Sequence, residues 1–149
     1  MAESDNTIAT EERLEKLNIF LQEKRTNWKE RIHEISEELR DIKNIVNITV
    51  LVNSYRSMLI ENIADMAVKI RKRYSAYNAN YKIKYHGYLR YDYKLSDKRI
   101  DIFVQSDLRY KLDEIGFLEI QLEFYKEAVK TLDQMTWAIK NRIQAENIM

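Results

Sequence analysis

The chain has no cysteine, no proline and only two glycines, Gly87 and Gly116, in 149 residues. Each absence excludes something. Without cysteine there are neither disulfides nor thiolate metal ligands, a usage that suits a reducing cytoplasm. Without closely spaced glycines there is no Walker-type phosphate loop and no dinucleotide fingerprint. The only imidazoles, His33 and His86, have no second histidine or cysteine at ligand spacing, so neither a metal nor another cofactor is expected. The longest aliphatic run, Ile48 to Val52, is far shorter than the roughly 20 residues that cross a bilayer. No membrane span is expected, and Met-Ala-Glu-Ser-Asp lacks the basic and apolar regions of a signal peptide.

With so few breakers and abundant Glu, Lys, Ile and Leu, long amphipathic helices are the natural product, and the fold class expected is mainly α. Residues 1–9 are small, polar and acidic and read as a disordered tail, with a single helical domain over 10–149. Thr10 before Glu11 and Glu12 has the form of a helix N-cap, followed by Leu14, Leu17 and Leu21 in a short helix. Trp28, Ile32, Ile35, Leu39, Ile42 and Val46 continue with helical steps in a second. Asn53 and Ser54 either cap a new helix or interrupt an old one. Tyr55, Leu59, Ile63, Met66, Ile70, Tyr74 and Tyr77 then keep the same period.

Beyond Tyr77 two readings compete. Tyr81 to Tyr85 and Tyr88 to Tyr91 alternate like two strands around His86-Gly87, which predicts a short β-hairpin or irregular arm near 78–93. Tyr74, Tyr77, Tyr81, Tyr85 and Tyr88 also fit a helical stripe; Gly87 and the asparagines Asn78 and Asn80 favour the arm.

From Asp107 onward the periodicity is the strongest in the chain and predicts a helix over 107–146. Its stripe includes Leu118, Leu122, Tyr125, Val129, Leu132, Ile139 and Ile143, widened by Phe117, Phe124, Ala128, Met135 and Ala138. An apolar face that wide calls for several neighbouring helices, and self-association into an oligomeric helical assembly is the expectation.

The charge is as uneven as the periodicity. Residues 66–100 hold ten of the 25 Lys+Arg, two of the 24 Asp+Glu and seven of the ten tyrosines, so a chain of net charge +1 is bipolar. A basic, aromatic segment on an acidic body points to a polyanion. Single-stranded nucleic acid needs cations for its phosphates and flat rings for its bases, and Lys69, Arg71, Lys72, Arg73, Tyr74, Lys82, Lys84, Tyr85 and Arg90 are the candidate contacts. An acidic protein partner and an acidic membrane surface are the alternatives. Asp97, Asp101 and Asp107, with Lys98 nearby, have the composition of a Mg2+-dependent nuclease, but helix capping is the plainer role, and no catalysis is expected.

Two stretches carry a resemblance. Ala67-Val-Lys-Ile-Arg-Lys-Arg-Tyr-Ser75 is similar to the Lys-x-Arg-x-x-Tyr motif of the UvsY family, the recombination mediators of T4-like bacteriophages, and residues 122–143 resemble that family's C-terminal helix, with its aromatic-Ala-Ile-Lys ending. After Tyr74 the family tends to be glycine-rich, whereas this chain has the Tyr/Lys segment. The resemblance implies a non-enzymatic protein of the host-cell cytoplasm that forms a ring-like homo-oligomer. It implies binding to single-stranded DNA and loading of a recombinase onto a strand covered by single-strand-binding protein. Lys69 and Arg71 would then contact DNA, and the helix around Val129, Leu132, Ile139 and Ile143 would hold the oligomer. The rival is a coiled-coil adaptor whose basic arm docks an acidic protein.

Overall fold

A computed structural model describes residues 2–91 and 94–148. Its elements are helices: α1 (Ala2–Glu38), a 3-10 turn (Ile42–Asn44), α2 (Ile45–Leu89), α3 (Asp97–Asp107) and α4 (Arg109–Ile148), with no strand among the described residues. The chain divides into two compact units, one of Met1–Ile19 and Ala67–Glu119, the other of Phe20–Met66 and Ile120–Met149.

The second unit is built on a seven-residue repeat. Leu21, Trp28 and Ile35 of α1, Ile45, Val52, Leu59 and Met66 of α2, and Tyr125, Leu132 and Ile139 of α4 are all buried. Spacing by seven keeps each set on one helix face, so three seams share a core. The Trp28 and Tyr55 rings meet edge to face at 5.6 Å. Gln121 is fully buried there, its Oε1 accepting from Arg25 Nη1 at 2.7 Å.

Helix α1 ends without proline or glycine. Asp41 turns extended and its carboxylate accepts the Lys43 N–H at 3.0 Å, the local bond by which Asp competes with a helix. The Arg142 guanidinium donates to the Leu39 and Arg40 carbonyls, satisfying the acceptors that a helix C-terminus leaves open.

The first unit centres on α3. Ser96 caps it by accepting from the Arg99 N–H, and Ile100, Val104 and Leu108 form a buried cluster on which Tyr77, Tyr81, Tyr85, Tyr88 and Leu95 pack.

Several expectations are corrected. The segment expected to form a hairpin or arm is helical to Leu89, because burying four tyrosine rings against α3 outweighs a glycine and two asparagines. Asn80 stays in the helix by donating to the Ala76 carbonyl at 2.9 Å, and no described glycine takes a positive φ. Residues 92 and 93, the last of that segment, lie outside the described residues. The tail expected to be disordered is the start of α1, where Thr7 donates to the Glu3 carbonyl at 2.8 Å. Thr10 is no N-cap, since its hydroxyl donates back to the Asn6 carbonyl. The two helices expected before residue 46 are one helix, α1, followed by a break at 39–44, and Asn53 and Ser54 lie inside α2.

Candidate nucleic-acid interface

Helix α2 turns two different faces outward and inward across the basic segment. Tyr77, Tyr81, Tyr85 and Tyr88 recur at steps of 4, 4 and 3 and are half-buried against α3. Arg71, Ser75, Asn78, Lys82 and His86 recur at steps of 4, 3, 4 and 4 on another side, and all five are exposed. Eleven residues of helix are three turns, so Arg71 and Lys82 stand almost in line about 16 Å apart with only small or polar side chains between. That is a smooth cationic stripe.

The inward tyrosines are donors as well as packing groups. Tyr81 donates to Asp101, Tyr85 to Asp97 at 2.9 Å, Tyr88 to Asp107 at 2.5 Å and Tyr74 to Glu119 at 2.6 Å. Each bond holds the phenolic proton, because losing it would place a phenolate against a carboxylate. Tyr81 and Tyr88 are pushed up to about 12 by these hydrogen bonds, with burial adding to the effect, and Tyr74 and Tyr85 are raised for the same reasons.

The candidate contacts therefore separate. Lys69, Arg71, Lys72, Lys82, Lys84 and Arg90 are exposed and have no ion-pair partner among the described residues. Arg73 instead pairs with the buried Glu114 at 3.0 Å, a carboxylate that Arg13 also approaches at 3.6 Å. Tyr74 and Tyr85 have their hydroxyls committed to Glu119 and Asp97. All three thus have a partner within the first unit, Arg73 and Tyr74 at exposed positions and Tyr85 half-buried against α3. The Tyr85 ring stacks on Tyr81 at 6.1 Å and packs on α3.

No family model, curated protein or solved structure matches the chain. The likeness to recombination mediators accordingly rests on the two sequence stretches.

Asp97, Asp101 and Asp107 serve the tyrosines, with Gln105 also donating to Asp101, and no cluster of three or more metal-type ligands occurs among the described residues. No described helix is long and apolar enough to cross a membrane.

The face assigned to self-association is largely filled from within. Leu118, Tyr125, Leu132 and Ile139 are buried in the chain itself, Leu122 and Val129 are half-buried, and Ile143 is exposed. Tyr125, Leu132 and Ile139 lie in the second unit with the buried seams of α1 and α2. Other apolar side chains are more exposed: Val46 is 74% exposed, Val50 64% and, on another side of α4, Trp137 69%. On α2, Val46, Val50, Asn53, Ser57, Ile60 and Ala64 form an exposed stripe at steps of 4, 3, 4, 3 and 4.

Sequence reasoning missed Glu114, the Tyr–Asp pairs and the stripe's neutral members. The pairs had a signal: tyrosines at 81 and 85 and aspartates at 97 and 101 share an i, i+4 spacing, which places two donors opposite two acceptors on packed helices.

Proposed function

We propose that the protein is a non-enzymatic single-stranded-DNA-binding protein that acts as a recombination mediator, helping a recombinase replace single-strand-binding protein on one strand. The observation that carries the binding is the exposed cationic stripe of α2, Arg71, Ser75, Asn78, Lys82 and His86, flanked by Lys69, Lys72 and Lys84. Cations with no internal partner are free to neutralise phosphates and release condensed counterions, which gives affinity without sequence preference. The mediator role itself follows the resemblance at Lys69, Arg71 and Tyr74 and along residues 122–143.

Mediation requires no bond to be made or broken. It requires that the strand be held so that one competitor is favoured over another. A homo-oligomer, ring-like by the same resemblance, adds weak contacts through high effective concentration. The apolar stripe Val46, Val50 and Ile60 supports self-association through α2 rather than through the interior seam of α4. The adaptor reading draws on the same cations, which suit an acidic protein equally; its heptads, however, are consumed in the chain's own core.

Two measurements test the proposal. Anisotropy of a labelled single strand, titrated at rising salt, should show binding that weakens linearly in log K against log salt. Recombinase filament formation on a strand already covered by single-strand-binding protein should accelerate when the protein is added. Binding without acceleration removes the mediator role, and no salt-dependent binding removes the DNA reading.

A further inference from the structure

The end of α2 carries a feature that the phosphate contacts leave unused. Gly87 lies inside the helix with no positive φ, so it makes no turn, and a Cβ placed there would meet nothing within 4 Å. Glycine is the weakest helix former after proline, and here neither backbone nor packing calls for it. Gly87 lines a groove of about 390 Å³ together with Ile83, Lys84, Tyr88, Tyr91 and Asp107.

The floor of this groove is aromatic. Tyr91 and Tyr88 stack at 5.6 Å with 22° between planes, and Phe103 continues the row beyond Tyr88 at 5.7 Å. Tyr88 is pinned by its bond to Asp107, while Tyr91 is 64% exposed. Lys84 stands exposed at the rim. A rigid stacked row ending in an open ring, beside a cation and a carboxylate, matches one nucleotide: ring against base, ammonium against phosphate, carboxylate against an exocyclic amino group.

We propose that the Gly87 groove receives one unstacked, amino-bearing nucleobase of a single strand, stacked against Tyr91. This rests on the DNA reading above and adds what the cationic stripe lacks, a reason to prefer single strands, since a paired base cannot enter. The stripe supplies affinity for any phosphate backbone, and the groove supplies the discrimination.

The test uses the full chain with fluorescein-labelled oligo(dC) and a duplex of equal length. Gly87→Leu fills the groove with a strong helix former and leaves every cation in place. It should lower oligo(dC) affinity about tenfold, with unchanged salt slope and unchanged duplex affinity. Tyr91→Ala, at an exposed position, should do the same and decides the matter if Gly87→Leu loses helicity. A parent that binds oligo(dC) in the expected salt-dependent way, with both folded variants indistinguishable from it, overturns the groove alone. A parent with no salt-dependent binding overturns the DNA reading and the groove with it.

Discussion

Arg73 and Glu114 form a 3.0 Å ion pair in which the carboxylate is buried, while Arg71, two residues earlier on the same helix, is exposed and has no ion-pair partner among the described residues. Neighbouring arginines in one basic run thus have different work. Arg73→Ala should destabilise the first unit by about 2 kcal/mol, because Glu114 keeps only the more distant Arg13. The salt dependence of DNA binding should not change. Urea denaturation beside a salt titration separates the two effects; a lowered slope with intact stability would place Arg73 among the phosphate contacts.

The tyrosine bonds predict a pH dependence with a definite sign. Tyr81 and Tyr88 hold their protons up to about 12 in the folded protein, against about 10 when unfolded. The folded state therefore binds the proton more tightly. Its contribution is complete below about pH 10 and is lost as pH rises through about 12. Phenolate absorbance should show a late-titrating group of tyrosines, and Tyr81→Phe with Tyr88→Phe should remove its latest-titrating members, leaving the raised Tyr74 and Tyr85. A parent whose titration curve is unchanged by these two substitutions at high pH would mean the bonds of Tyr81 and Tyr88 to α3 are absent.

Core and surface substitutions should divide stability from assembly. Leu132 has no exposed area, so Leu132→Ala should cost about 2–5 kcal/mol whatever the protein concentration. Val50→Lys, on the outward stripe of α2, should leave helicity unchanged but reduce the sedimenting mass, with melting lowered only by the lost association. Unchanged mass for Val50→Lys would move the subunit contact away from this stripe.

The helices are legible because proline is absent and glycine rare, and heptads such as Leu118, Tyr125, Leu132 and Ile139 mark a buried face without a structure. Periodicity gives a face and not its partner, so the same residues read as a subunit interface although α1 and α2 bring matching seams of their own. The segment 78–89 is helical rather than an arm for a related reason. Alternation and a helical stripe coexist in its tyrosines, and the choice is made by Ile100, Val104 and Leu108, which lie some twenty residues away in sequence. Among the cations, composition identified the segment, but only the buried Glu114 distinguishes Arg73 from Arg71.

The measurement that bears most directly on the account is the salt slope of single-strand binding by Arg71→Ala/Lys82→Ala beside the parent. Both side chains are exposed and in line on α2, so the fold should be untouched. Losing two phosphate contacts should flatten the slope of log K against log salt by about 1.4, at ~0.7 for each contact to a single strand. A folded double variant with the parent's affinity and slope would contradict the assignment of this helix face to nucleic acid.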